Sequence, residues 1–272
     1  MIPPGDEEEA VGFELDGRRV LVTGASSGIG AGLAVAFAAA GATVGICARR
    51  EDRLGEVLAR CASHTPASRM WVTDLSRPDD VARLARSALD EFGGVDVLVN
   101  NAGIPKRRHV TALQAATVEA VHHLNFISPV QLTLALLPQM LERGEGRIVN
   151  VSSVAATLSS PGEAAYAASK AALSVWSESM AVDLWDTGVR IMVVYPGVVD
   201  TDLFTLPDND PFTASVAAIT VDECVEAVMD AFAKDALEVY VPAWFGDVAK
   251  RKATDVTAFL SGTAEYVRQQ RA

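Results

Sequence analysis

Thr23-Gly24-Ala25-Ser26-Ser27-Gly28-Ile29-Gly30 stands between a short β-rich run, Arg19 to Thr23, and an apolar helical run that begins near Gly28. Glycines there permit a tight turn and let the backbone approach an anion, which then meets the free amide groups of the following helix. The spacing, GxxxGxG, differs from the commoner dinucleotide fingerprint. A turn rich in glycine for packing alone is the bland alternative. Its place between strand and helix favours a pyrophosphate site over Gly24, Ser26, Ser27, Gly28, Ile29 and Gly30.

Outward from this turn, six further β-rich runs alternate with longer helical patterns: Thr43 to Cys47, Met70 to Thr73, Val95 to Val99, Arg147 to Val151, Arg190 to Tyr195 and Glu238 to Val241. Between them, segments such as Asp79 to Phe92 carry apolar residues at helical spacing, here Val81, Leu84, Ala85, Ala88 and Leu89. Strand and helix in repeated alternation predict an α/β fold: a doubly wound, mainly parallel sheet of seven strands with helices on both faces. Ligands of such sheets bind beyond the carboxyl ends of the strands, so the informative residues are expected to follow strands.

The chain has 272 residues, half of them hydrophobic, and no Pro/Ser-rich or charged linker within residues 17–240, which points to one domain over 13–247. Residues 1–12 (MIPPGDEEEAVG) read as a disordered acidic tail without the apolar region of a signal peptide, and 248–272 as a basic tail. A formal charge of -12 disfavours nucleic acid and anionic membrane as partners. Cys47, Cys61 and Cys224 form no CxxC pair and no even framework, which fits the reducing cytoplasm. The uncharged run Ala31 to Ala48 is interrupted by Gly41 and reads as a buried helix followed by a buried strand.

At the tip of the second strand the chain reads Ala48-Arg49-Arg50, with no acid where a carboxylate would hold the adenosine ribose of NAD. A guanidinium offers a planar fork to a ribose 2'-phosphate, so NADP(H) is preferred and NAD(H) is the alternative. Arg49 and Arg50 as solvated residues opening the next helix remain the bland reading.

Tyr166 and Lys170 stand four apart in the helical segment Glu163 to Asp186 and so share one face. A free tyrosine titrates near pH ~10, and an adjacent ammonium would stabilise its phenolate. Ser153 follows the fifth strand; serines there are more often turn or N-cap residues, and only the downstream YxxxK favours a catalytic one. Asn125 precedes Pro129 by four residues in a long helical segment, so its carbonyl loses the usual helical donor and a kink is expected, free to hold a water or merely bent to follow the sheet.

In order and spacing, Thr23 to Gly30, Asp74, Asn100-Asn101-Ala102-Gly103, Asn125, Ser153, Tyr166, Lys170 and Pro196-Gly197 resemble the short-chain dehydrogenase/reductase family over roughly residues 17 to 202. The resemblance implies a Rossmann-like fold and hydride transfer between NADP(H) and a carbonyl or secondary alcohol. It implies Tyr166 as acid/base, Lys170 as its partner and as a ligand of the nicotinamide ribose, Ser153 on the substrate carbonyl, and Asn125 in a proton relay through Lys170. It further implies that Asp74 and the Leu75 amide hold the adenine, that Asn101, Ala102 and Gly103 line the adenosine ribose, and that Pro196, Gly197, Val199 and Thr201 hold the carboxamide. A homo-oligomer, dimer or tetramer, belongs to the same expectation.

An apolar ketone or 3-oxoacyl compound is the expected small-molecule substrate; an NAD-dependent alcohol dehydrogenase and a cofactor-sensing binding protein are the competing readings, the latter disfavoured by an intact proton-transfer set. Lys106-Arg107-Arg108-His109 is either a solvated cluster or a reception site for an anionic substrate. Residues 202–220 form the expected lid, whose Leu203, Phe204, Leu206 and Phe212 either line an apolar pocket or pack beneath it. The basic tail closes the pocket, contacts a second subunit or, least in keeping with the charge, touches lipid. His122 and His123 lack acidic or Cys partners at ligand spacing, so no metal is expected.

Overall fold

The computed structural model describes residues 13–211 and 216–271; the segment 1–12, Phe212 and the Arg271 side chain lie outside the described residues. The first half of the chain alternates as expected: β1 (Arg19–Thr23), α1 (Gly28–Ala39), β2 (Thr43–Ala48), α2 (Glu51–Ala62), β3 (Arg69–Val72), α3 (Pro78–Asp90) and β4 (Val97–Asn100). Then α4 (Ala115–His122) passes through a wide turn, His123–Ile127, into α5 (Ser128–Arg143). The rest follows as β5 (Gly146–Val151), a short α6 (Ala155–Leu158), α7 (Ala164–Asp183), β6 (Val189–Pro196), α8 (Val221–Ala233), β7 (Glu238–Val241), α9 (Trp244–Thr254) and α10 (Val256–Arg271).

The seven strands form one sheet in the order β3-β2-β1-β4-β5-β6-β7, and every pairing is parallel. Strand order therefore reverses between β1 and β4, where a crevice opens at their carboxyl ends. Strand limits move by a residue or two from the sequence expectation. Thus β4 starts at Val97 and not at Val95, because the Asp96 carboxylate takes the Arg19 amide (2.8 Å) and its guanidinium at the sheet's lower rim.

Alternation along each strand divides the core in two. Val20, Val22, Val97, Val99, Val149 and Val194 pack with α1, α2 and α8 on one face. Leu21, Leu98, Ile148 and Ile191 pack with α3, α5 and α7 on the other. Burying both faces explains why the central strands are mostly apolar, with continuous runs such as Val20-Leu21-Val22 and Val97-Leu98-Val99, instead of alternating with polar residues.

The expected kink at Asn125 takes the form of a π turn, in which the Ser128 amide donates to the His123 carbonyl five residues back. Pro129 cannot donate to Asn125, and the extra residue in the turn absorbs the mismatch. By length and composition Ala115–Arg143 could cross a membrane, yet its Leu132, Leu136 and Met140 are fully buried against the sheet. At the far end, the boundary expected at 247/248 falls inside α9, which starts at Trp244, and the tail beyond it is a second helix packed on the first.

A buried polar chain fixes α7 to the sheet beneath the site. Asn100 Nδ2 donates to Thr133 Oγ1 (3.1 Å) and Asn150 Oδ1 (2.8 Å), and Asn150 Nδ2 donates to Ser177 Oγ (2.7 Å). Asn150 is wholly buried, so Asn150→Ala leaves the Asn100 amide with Thr133 Oγ1 alone and the Ser177 hydroxyl without its donor, and is expected to cost roughly 1–3 kcal/mol. Denaturant unfolding checks this; an unchanged midpoint would show that the chain does not hold the helix.

Candidate active site

At the carboxyl ends of β1 and β4 the backbone is drawn together. Thr23 Oγ1 accepts from the Asn101 and Ala102 amides (3.0 and 3.1 Å), and Asn101 Nδ2 donates to the carbonyls of Thr23 (3.0 Å) and Gly24 (3.3 Å). Gly24 has φ +66°, and a Cβ there would stand 2.7 Å from the Ala102 Cα; at Gly30 it would stand 2.3 Å from Asn101 Nδ2. Gly24 thus sustains both the turn and the close approach, whereas Gly30 serves packing and does not face the cavity.

A cavity of about 750 Å³ opens above this junction. Gly24, Ser26, Ser27, Gly28 and Ile29 line one end, with the α1 N-terminus facing in. Next to them are Arg49 and Arg50 from the tip of β2, then Asp74 and Leu75 after β3. Asn101, Ala102 and Gly103 form the floor, and Pro196, Gly197, Val199 and Thr201 the wall beyond β6. Of the expected cofactor positions, all but Gly30 border the cavity.

Arg50 lies across the glycine turn, donating from Nε and Nη2 to Ser26 Oγ (3.2 and 3.0 Å) and from Nη2 to Ser27 Oγ (2.7 Å). Its Nη1 stands 3.6 Å from Asp202, which also pairs with Arg53. Those hydrogen bonds and charges hold the Asp202 carboxyl below its ordinary range. Arg49 instead acts at a distance on Asp74. Burial pushes the Asp74 carboxyl up, but the Ser76 hydroxyl and amide, with Arg49 and Arg77, outweigh it and the net direction is down.

At the other end stand Ser153, Tyr166 and Lys170. The Ser153 hydroxyl lies close enough to the Tyr166 hydroxyl to oppose the rise in its pKa, and Ser153 Oγ accepts from the Ala155 amide (3.1 Å), so this serine is both a turn residue and a site residue. Lys170 is 4% exposed, and its Nζ donates to the Val151 carbonyl (2.7 Å) while standing 6.0 Å from the Tyr166 ring centre. Burial lowers the ammonium to about 8. The same burial raises the Tyr166 phenol above its ordinary value, Glu163 adds to the rise, and the Ser153 hydroxyl and the Arg107 charge oppose it. With the phenol protonated, the ammonium rests on the Val151 carbonyl, and the Ser153 hydroxyl is the nearer influence on the Tyr166 hydroxyl.

Asn125 is wholly buried behind this group and does not line the cavity. Its Oδ1 accepts from the Ile104 amide (2.9 Å), and its Nδ2 donates to the Ile104 carbonyl (3.0 Å) and Ser169 Oγ (3.0 Å). Gly103 lies between, since a Cβ there would reach within 3.1 Å of Asn125 Oδ1 and 3.4 Å of Lys170 Nζ. The side chain thus clamps the Asn101-Ala102-Gly103 turn to α7.

The run Lys106-Arg107-Arg108-His109 is met by residues 204–210, which cover Lys106 and Arg107 while Arg108 stays partly exposed and His109 exposed. Lys106 and Arg108 both pair with Asp208, Arg108 also approaches Asp210 (3.6 Å), and the His109 amide donates to Asp210 Oδ2 (3.2 Å). Leu203, Phe204 and Leu206 border the cavity as expected. Sequence reasoning missed Glu163, 8% exposed beside Tyr166, and Thr263, Tyr266 and Val267 of α10, which complete the far wall. The apolar face of α10 was the available signal, but without a fixed register to the sheet it named no residue.

The family model of the short chain dehydrogenases matches residues 18–210. The chain is 40% identical over 205 residues to a short chain dehydrogenase of Pseudocercospora fijiensis, covering 74% of this chain and 66% of that protein. It is 34% identical to the 3-oxoacyl-[acyl-carrier-protein] reductase FabG of Vibrio cholerae, covering 76% and 84%. Among solved structures it is similar to a short-chain dehydrogenase from Sphingobium yanoikuyae in complex with NADPH, with a TM-score of 0.78, 28% identity and coverage of 89% and 95%. With its parallel sheet, glycine turn and Ser-Tyr-Lys group in one cavity, the chain belongs to the short-chain dehydrogenase/reductase family of nicotinamide-dependent oxidoreductases.

Proposed function

We propose that this protein is an NADP(H)-dependent carbonyl reductase acting on an apolar ketone or a 3-oxoacyl compound, with Tyr166 as the proton donor. One observation carries the reading: Ser153, Tyr166 and Lys170 line the same cavity as the glycine turn. The residues fit a dinucleotide, because one cavity runs from the glycine turn, where the α1 N-terminus suits a pyrophosphate, past Arg50 and Asp74 to Lys170 and Thr201. When bound, the nicotinamide supplies the hydride that adds to the carbonyl carbon.

The protein's share is binding, orientation and proton handling. Ser153 and Tyr166 donate to the carbonyl oxygen as charge grows on it, and Tyr166 passes its proton to that oxygen. A phenol raised by burial stays protonated at neutral pH, which suits a donor. Lys170 keeps its charge below about pH 8 and serves the nicotinamide ribose and the phenolate that remains after transfer. Asn125 positions the Gly103 turn and continues the proton path behind Lys170.

Arg50, already against Ser26 and Ser27, is the group that would receive a 2'-phosphate, and the NADPH named with the Sphingobium structure supports NADP(H). Asp202 beside Arg50 favours the second reading, NAD(H), since it supplies the guanidinium with a carboxylate already. FabG's name supports a 3-oxoacyl substrate. The exposed Val175 and Val182 on α7 and Leu134 on α5 support contact with a second copy of the chain. Three buried free cysteines support a reducing compartment such as the cytoplasm, and the charge of -12 leaves nucleic acid and anionic membrane outside the reading.

NADPH oxidation is measured over a panel of aliphatic, cyclic and 3-oxoacyl ketones, with Tyr166→Phe alongside. Turnover by the wild type that falls at least about 100-fold in the variant is expected; equal rates would remove Tyr166 from the chemistry. Separately, Arg50→Ala is expected to weaken NADPH about tenfold or more and to leave NADH within about threefold, a charge-assisted hydrogen bond being lost only with the phosphate. Equal effects on both nucleotides would favour the NAD(H) reading.

A further inference from the structure

Arg107 is 5% exposed, lies in the wall of the catalytic cavity, and holds the lid by its edge. Its amide donates to Asn209 Oδ1 (2.8 Å), its Nε to the Asp210 carbonyl (3.0 Å) and its Nη2 to the Phe204 carbonyl (2.8 Å), with the guanidinium 5.7 Å from the Phe204 ring centre. Its Nη1 is buried and, among the described residues, has no hydrogen-bond partner. A guanidinium nitrogen enclosed in protein without an acceptor costs the full desolvation of its N–H groups, so an acceptor is expected to complete it.

Neighbouring charges define that acceptor. Lys106 and Arg108 are neutralised by Asp208 and Asp210, leaving Arg107 as the member of the run whose charge is felt at Tyr166. Glu163, buried on the same wall, interacts with the Arg107 charge, though burial keeps its carboxyl above the ordinary range. A neutral carbonyl oxygen would satisfy Nη1 without bringing a further charge into a low-dielectric wall where burial already disfavours the charged form of Glu163.

We infer that Arg107 is a specificity-determining residue, whose Nη1 donates to a second, neutral carbonyl oxygen of the substrate while the first is reduced at Ser153 and Tyr166. This rests on the carbonyl-reductase reading and deepens it: a 3-oxoacyl ester, thioester or amide carries such an oxygen two carbons from the ketone, and a simple ketone does not. The lid and the substrate then share one guanidinium. Its Nε and Nη2 bind lid carbonyls, and Nη1 is reached as the lid adjusts over the bound acyl chain, with Phe204 and Leu206 as apolar neighbours.

The test compares kcat/KM for ethyl 3-oxohexanoate with that for 1-ethoxyhexan-3-one, in which a methylene replaces the ester carbonyl, in wild type and Arg107→Met with NADPH. The ester-to-ether ratio is expected to fall at least about tenfold in the variant, the range for a hydrogen bond from a charged donor. Asp208→Asn, which loosens the lid's ion pairs without touching Arg107, is expected to leave that ratio unchanged. Arg107→Lys carries the same comparison if the methionine variant does not fold, with a ratio below wild type expected from loss of the fork. A parallel fall on both substrates would overturn the inference and leave Arg107 a lid support. A wild type that prefers free 3-oxohexanoate to its ester would overturn the neutral acceptor. Failure of the wild type to reduce either ketone while it reduces other carbonyls would overturn this inference alone; failure on every carbonyl would overturn the reductase reading and the inference with it.

Discussion

The Asn101 side chain, bonded to the carbonyls of Thr23 and Gly24, joins the loops that leave β1 and β4, and the arrangement above the sheet depends on that joint. These strands flank the point where the order reverses, so their loops diverge and a crevice opens between them. Without the joint, the glycine turn would have no fixed height above the Asn101-Ala102-Gly103 floor. Thr23 reinforces it from the strand side by accepting from two amides of that floor. Asn125 then clamps the next residue, Ile104, to α7, which carries Tyr166 and Lys170. A path of short hydrogen bonds thus leads from the dinucleotide end of the cavity to the proton-transfer end.

Burial is the dominant electrostatic influence at that second end. It raises Tyr166 and Glu163 and lowers Lys170, in each case disfavouring the charged form. For Lys170 the sign is clear: a folded-state value near 8 lies below the ordinary lysine value, so the cost of burying the charge is fully present below pH 8 and is relieved above it. The fold therefore carries a destabilising group at the site, which suits a residue kept for chemistry and not for stability. The Val151 carbonyl offsets part of that cost by accepting from Nζ.

Much of this was legible in the sequence. Seven strands, their parallel pairing and the two apolar layers follow from continuous runs of Val, Ile and Leu alternating with helical spacing. The glycine turn, the arginines at the tip of β2 and the Ser-Tyr-Lys group border one cavity. What the sequence did not disclose depends on side-chain direction across long separations. Lys106 and Arg108 read as a basic cluster, yet lid carboxylates about a hundred residues later neutralise them. Gly30 read as a cofactor residue, yet its missing Cβ makes room for Asn101.

Tracing the hydrogen tests the central claim most directly. The protein is incubated with NADPH deuterated at the transferring position of C4 and a reducible ketone, and the alcohol is analysed by mass spectrometry. The account predicts one deuterium on the carbinol carbon of each product molecule, delivered directly from nucleotide to substrate in one cavity. Bound nucleotide with no label in any product, across ketones of every class tried, would contradict it.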